Sequence, residues 1–138
     1  MRSFEFLDHT ADALLRARGD TLAELLVACA EGMFSVLIDD GAIEERMELP
    51  VELDADDAEE LVHAWLRELL FRFSAEGMVF GRFDIAEATP TRLRATCHGE
   101  RFDPAHHHGG TEIKAVTYHG FKVEEEDGGW KAEVLFDV

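Results

Sequence analysis

Two acidic segments, one near each end of the sequence, carry the side chains best suited to chemistry. The first is Asp8-His9-Thr10-Ala11-Asp12, where two carboxylates, an imidazole and a hydroxyl fall within five residues. The second is Asp137-Val138, where we expect the α-carboxylate of Val138 to lie beside the Asp137 side chain after an apolar strand pattern. Oxygen ligands of this kind suit hard cations such as Ca²⁺ or Mg²⁺. The simpler interpretations are a turn with local hydrogen bonds for the first segment and a solvated strand end for the second.

Histidines supply the remaining candidates. His119 has the same parity as the apolar Ile113 along a predicted strand, so we expect it to be partly buried, in a structural or a functional role. His106-His107-His108 is similar in composition to a metal-binding tract. Adjacent loop residues rarely converge on one ion, and Asp103-Pro104 is a turn signal, so we expect an exposed loop there.

Composition excludes several classes of function. The chain has 138 residues and a formal net charge of −17, which argues against direct nucleic-acid binding and favours a cation or a basic protein partner. No apolar run is long enough for a membrane span and no signal-peptide core is present. We therefore expect a cytoplasmic protein that does not associate with a membrane. Cys29 and Cys97 fall on apolar faces and are expected to be buried thiols.

The sequence contains no self-contained catalytic or metal-binding motif. P-loop, Rossmann glycine, nucleophile-elbow, H-E-x-x-H, CxxC and EF-hand patterns are all missing. Any Ca²⁺ site must therefore be assembled from distant segments.

Hydrophobic periodicity predicts the elements that would position these residues. We expect one domain over residues 1–138 with an α+β fold, a layered sandwich of two main helices on a mostly antiparallel sheet, in the order β-β-α-β-α-β-β-β-β. Thr21 and Glu24 match a capping box, Pro50 indicates an edge strand or an irregular one, and the turn at 126–129 predicts a final hairpin. The predicted elements are strands over 4–7 and 13–18, a helix from Thr21 to about Ile38, a strand over 47–53, a helix that begins after 54–57 and ends at Gly77, and strands over 78–88, 92–99, 112–124 and 130–137.

Six segments follow one another in a recognisable order along nearly the whole chain. They are Phe4-Glu-Phe-Leu-Asp-His-Thr-Ala-Asp12, Gly19-Asp-Thr-Leu22, Trp65-Leu-Arg-Glu-Leu-Leu70, Gly99-Glu-Arg-Phe-Asp103, Lys114-Ala-Val-Thr-Tyr-His-Gly120, and Trp130 with Val134-Leu-Phe-Asp-Val138. Taken together, these segments resemble the archease family. The loop 107–110 is less typical of that family than the segments around it.

The resemblance implies a small α+β activator of an RtcB-type RNA ligase in tRNA splicing or RNA repair. Such a ligase joins RNA ends bearing a 2′,3′-cyclic phosphate or a 3′-phosphate to 5′-hydroxyl ends, using GTP and Mn²⁺ through a histidine–GMP intermediate. Archeases promote that guanylylation and multiple turnover without being ligases themselves. The resemblance also implies a divalent cation site, commonly Ca²⁺, with Asp12, Asp137 and Val138 as ligands. We expect Asp8, His9 and His119 to contribute to the surrounding functional surface.

Two other functions are compatible with the residues. A small metal-dependent hydrolase would use a cation to activate water beside His9 or His119, and would cleave phosphoesters alone. A calcium-stabilised, chaperone-like module would suppress aggregation of several clients, with a structural ion.

Overall fold

The computed structural model describes residues 1–7 and 12–138, so Asp8 and His9 of the expected functional surface lie outside the described residues. The predicted α+β class and the order of the main elements are confirmed. The elements are β1 (Ser3–Leu7), β2 (Ala13–Gly19), α1 (Leu22–Leu37), β3 (Ile38–Asp40), β4 (Met47–Asp54), α2 (Ala58–Glu76), β5 (Met78–Thr89), β6 (Arg92–Arg101), β7 (His108–Gly109), β8 (Ala115–Val116), β9 (Lys122–Glu126) and β10 (Gly129–Asp137).

Local hydrogen bonds explain where both helices begin and end. The Thr21 hydroxyl accepts from the backbone N–H of Glu24 at 3.1 Å, and the Glu24 carboxylate accepts from the N–H of Thr21 at 3.2 Å. Asp57 caps α2 by accepting from the N–H of Glu60 at 2.8 Å. Gly77 ends α2 in the left-handed region, at φ +69°, which favours glycine. The capping box and the glycine stop predicted from the sequence are confirmed.

Strand β10 is the central element of a five-stranded antiparallel sheet. The order is β1-β2-β10-β8, and β9 also pairs with β10 through the predicted final hairpin. The pairs Ala132↔Ala17, Val134↔Leu15 and Phe136↔Ala13 place small and apolar side chains on one face. Ala132, Val134 and Phe136 are buried there. The alternation in the last strand therefore marks the face that packs into the core.

A second sheet and the two helices complete that core. Strands β4, β6 and β5 pair in that order, so the Pro50 strand β4 lies at an edge, as predicted. Helix α1 contacts β2 of the first sheet and β5 of the second. The indole N–H of Trp65 on α2 donates to the carbonyl of Leu26 on α1 at 2.9 Å, and this bond joins the two helices inside the core.

The predicted strand over 112–124 is wrong. Only Ala115–Val116 and Lys122–Glu126 are strands. Between them the N–H of Phe121 donates to the carbonyl of Tyr118 at 3.2 Å, and Gly120 takes φ +66°. Partial burial of His119 was predicted from the alternation of a continuous strand. The turn interrupts that alternation, and His119 is exposed. Among the described residues, no helix is both long and apolar enough to cross a membrane.

Candidate functional site

A cavity of about 570 Å³ opens where the end of α1 meets strand ends of the five-stranded sheet. Apolar walls come from both β1 and β2, and polar groups come from four separate segments. The lining residues are Phe6, Leu7, Asp12, Ala13, Leu14, Ser35, Val36, Asp39, Gly110, Thr111 and Val138.

Strand pairing explains how two of the three predicted metal ligands reach this cavity. Asp12 immediately precedes β2, and Val138 immediately follows β10. These two strands are antiparallel, and their last pair is Phe136↔Ala13. The structure therefore brings Asp12 and Val138, which are 126 positions apart in the sequence, to one cavity.

Asp137, the third predicted ligand, is the last residue of β10. It pairs with Ala115, and its carbonyl accepts a hydrogen bond from the backbone N–H of Lys114 at 2.6 Å. Its side chain is partly buried. The main chain leading to Val138 is thus fixed by the sheet.

Asp39 is a cavity residue that sequence reasoning missed. It lies on β3, directly after α1, where the acidic pair 39–40 indicated only the end of a helix. The segment opposite is tied to the end of α1, because the N–H of Gly110 donates to Leu37 and that of Thr111 donates to Val36, at 2.9 and 2.8 Å. A Cβ at Gly110 would lie 2.2 Å from the Val36 carbonyl oxygen, so this close approach requires glycine.

The donor chemistry of the cavity suits a hard cation. Its polar side chains among the described residues are Asp12, Ser35, Asp39 and Thr111, and all of them offer oxygen. The Ser35 hydroxyl already donates to the Gly32 carbonyl at 2.6 Å. Ca²⁺ and Mg²⁺ take oxygen ligands, whereas late transition metals prefer nitrogen or sulfur.

A possible His/Glu metal-binding group lies elsewhere, at the end of β6 and on the loop that follows it. The ligand atoms of Glu100, His106 and His107 all lie within 4.8 Å of one another, and within the described ranges 1–7 and 12–138 no other three His, Cys, Asp or Glu side chains do so. Glu100 and His107 are buried, and His106 is exposed. The expectation of an exposed histidine tract is therefore wrong for His107, which is only 1% exposed.

Hydrogen bonds already use both ring nitrogens of His107. Its Nδ1 accepts from the backbone N–H of Asp103 at 2.9 Å, so Nδ1 carries no proton. Its Nε2 therefore carries the proton and donates to the Glu100 carboxylate at 2.9 Å. That carboxylate also accepts from the N–H of Glu44 at 2.8 Å and lies 3.3 Å from the Arg46 guanidinium. An ion bound by this ring would have to displace one of its hydrogen bonds.

A further buried histidine, His63, is part of the core. Its Nε2–H donates to the carbonyl of Val116 at 2.9 Å, and its ring stacks on Tyr118 at 3.7 Å. Burial removes water from the ring and lowers the pKa of His63, which keeps it neutral.

The two thiols are not placed for nucleophilic chemistry. Cys29 and Cys97 are both buried, as predicted. Burial raises the pKa of each thiol to about 12, so neither forms a thiolate at neutral pH.

Comparison with known proteins identifies the family. Residues 4–138 match the model of the Archease protein family (MTH1598/TM1083). Protein archease of Methanopyrus kandleri is 41% identical over 138 residues, covering 98% of this chain and 99% of the relative. Protein archease of Pyrococcus furiosus is 39% identical over 142 residues, covering all of both chains.

Solved structures give the same result for the fold. The solution structure of Methanobacterium thermoautotrophicum protein 1598 has a TM-score of 0.84 and 36% identity, over 98% of both chains. The crystal structure of a Thermotoga maritima archease, reported as a possible chaperone, has a TM-score of 0.63 and 24% identity, over 96% of this chain and 94% of that one, and shows the fold alone. The full-length matches at about 40% identity decide the assignment, and the chain belongs to the archease family.

Proposed function

We propose that this chain is a non-catalytic activator of an RtcB-type RNA ligase, promoting guanylylation of the ligase and its repeated turnover. The observation that carries the proposal is the cavity where Asp12, Asp39 and Val138 meet. Two of the three ligands that the resemblance implies, Asp12 and Val138, line this cavity, and the third, Asp137, directly precedes Val138. Family membership supports the assignment, since the resemblance implies this activity for archeases.

We further propose that Asp12, Asp137 and Val138 hold a divalent cation, of the Ca²⁺ type. The oxygen donors of the cavity fit such an ion, and Val138 would contribute a main-chain oxygen. When bound, the ion would supply a fixed positive charge that links the ends of β2 and β10. Asp39, which lies on β3 and also lines the cavity, would remain available to a second partner.

The chain's charge fits a basic partner. Its formal net charge is −17, whereas a ligase that binds RNA needs a positively charged surface. Complementary charge accelerates association and excludes wrong partners. We propose that the carboxylates at the cavity, carried by rigid strand ends, are presented to the ligase's metal-containing centre and help to position or exchange its ion.

The test is guanylylation of the host's RtcB-type ligase with GTP and Mn²⁺ over several turnovers. It compares the ligase alone with the ligase plus wild-type protein, the Asp12→Ala variant or the Asp137→Ala variant. Asp56→Ala removes an exposed carboxylate outside the cavity and is the matched control. Stimulation by wild type and by the control, but not by Asp12→Ala or Asp137→Ala, supports the proposal. A wild-type protein that leaves the ligase unchanged refutes it.

The ion needs a measurement separate from ligation. Calcium titration by isothermal calorimetry should give binding for wild type and Asp56→Ala, and no binding for Asp12→Ala. Circular dichroism of each variant checks that the fold is retained. Equal Ca²⁺ binding by wild type and Asp12→Ala would remove Asp12 from the ligand set.

A chaperone-like function is a second candidate, because the Thermotoga maritima relative is reported as a possible chaperone. It predicts that the protein suppresses aggregation of unrelated clients in the absence of ligase. Light scattering of a heat-denatured client, with and without equimolar protein, distinguishes this function from ligase activation. A phosphoester substrate incubated with the protein alone tests the hydrolase alternative in the same series.

A further inference from the structure

The edge strand β1 exposes two aromatic side chains next to the cavity. Phe4 is 37% exposed and Phe6 is 41% exposed, and their rings make an edge-to-face contact at 6.1 Å. In register they lie opposite Ala17 and Leu15, which are fully buried. The aromatic pair therefore continues the core face of the sheet to its partly exposed edge.

The backbone of β1 is also available for pairing. Within the part of the chain that the structure describes, β1 pairs with β2 and with no further strand. Natural edge strands are usually protected by lysine, proline or a bulge, and Ser3–Leu7 contains no lysine or proline and pairs in regular register. Glu5, on the opposite face, lies 3.6 Å from the Arg16 guanidinium and leaves the aromatic face uncharged.

Charge indicates which partner would fit this edge. Phe6 is itself a wall of the cavity that holds Asp12 and Asp39. A segment that pairs with β1 and covers Phe6 would therefore place its neighbouring side chains against Asp39, the cavity carboxylate that is not assigned to the ion. Lysine or arginine beside an apolar residue would satisfy both environments.

We propose that this aromatic edge, the free edge of β1 with Phe4 and Phe6, docks an extended basic segment of the RtcB-type ligase by strand addition. The proposal rests on the function proposed above and adds the docking face and the chemistry of the partner. Backbone hydrogen bonds would give affinity, and the aromatic and acidic contacts would select the segment. The ligase would thereby be aligned with the cavity that carries the candidate ion.

Photo-crosslinking tests the contact without removing an aromatic ring. Phe6→p-benzoylphenylalanine is irradiated with the host ligase, and Phe71→p-benzoylphenylalanine on α2 is the control, because Phe71 is 58% exposed and does not line the cavity. We expect a ligase adduct from position 6, mapped by mass spectrometry to a lysine- or arginine-containing peptide, and little adduct from position 71. Equal adducts from both positions, or an adduct from position 71 alone, would overturn the proposal.

Affinity provides the second readout. The double variant Phe4→Thr/Phe6→Thr keeps strand-forming residues and should bind the ligase about 30-fold more weakly, the fold-change for losing about 2 kcal/mol of an aromatic anchor. Phe71→Ala should bind like wild type. If wild type stimulates the ligase and the double variant binds equally well, the docking face is refuted while the proposed function stands. If wild type neither binds nor stimulates the ligase, both proposals fail together.

Discussion

Replacement of His107 tests whether the loop after β6 is held by hydrogen bonds or by a metal ion. The His107 ring is buried, accepts from the N–H of Asp103, and donates to the Glu100 carboxylate. In this arrangement the ring closes the loop onto β6 without an ion. His107→Ala removes both bonds at once and leaves the Asp103 N–H without its acceptor.

The expected cost follows from these contacts. Each of the two hydrogen bonds contributes about 1 kcal/mol net, and the space left by a buried ring costs about 1–2 kcal/mol more. His107→Ala should therefore lower the free energy of unfolding by about 3 kcal/mol, which corresponds to a fall in Tm of about 10 °C in a domain of this size. His107→Asn keeps an acceptor for the Asp103 N–H and should cost about 1 kcal/mol less.

Urea unfolding followed by circular dichroism measures these differences, with His106→Ala as the matched control. His106 is exposed, so its loss should change the free energy of unfolding by less than about 0.5 kcal/mol. Equal destabilisation by His106→Ala and His107→Ala would refute the reasoning. So would a rise in Tm on adding Zn²⁺ to wild type that His106→Ala abolishes, because it would show that the group holds an ion.

Three further predictions concern backbone space, acidity and the ion. Gly99→Ala should lower the free energy of unfolding by more than about 3 kcal/mol, because a Cβ there would lie 1.8 Å from the Val79 carbonyl oxygen. A Cβ at Gly77 meets only open space, so Gly77→Ala should cost about 1 kcal/mol for its positive φ. Chemical denaturation compares the two variants. A backbone N–H that donates to the carboxylate lowers the pKa of Glu100, so the unfolded chain binds more protons than the folded chain. The stability that this carboxylate contributes is complete above the ordinary glutamate pKa and should be lost as pH falls through the lowered folded value. Measurement of Tm over an acid pH series checks this sign. Millimolar Ca²⁺ should raise the Tm of wild type but not of Asp12→Ala, and an equal rise in both would contradict the proposed ligand set.

Features that depend on neighbouring residues could be predicted from the sequence. The Thr21 and Glu24 capping box, the glycine stop at Gly77 and the last hairpin are each formed by hydrogen bonds within a few positions. Their chemistry is therefore visible in a short window of residue types. The alternation over 130–137 was equally informative, because one face of β10 packs against the core.

Features that depend on distant segments were missed. His107 is buried because its loop folds back onto Glu100, and a run of three histidines carries no sign of that contact. Residues 112–124 alternate in polarity, but the turn at Tyr118–Gly120 interrupts the strand. Asp39 joins the cavity only because β3 follows α1 directly and the 110–111 segment is tied to the helix end. The family resemblance pointed to Asp12 and Val138. Asp39, in contrast, reaches the cavity through tertiary packing, which the resemblance did not indicate.

The pairing of β2 with β10 has a consequence for how the protein folds. It joins residues 13–19 to residues 130–136, so the chain must close a loop of more than a hundred residues before the first sheet gains its central strand. Contacts so distant in sequence form slowly, because the entropy of loop closure is lost before the pairing is gained. The cavity lies at the very end of this pairing, with Asp12 just before one strand and Val138 just beyond the other. Only a chain that has formed this long-range pairing can present the site, so an intermediate without it has no complete surface to offer a partner.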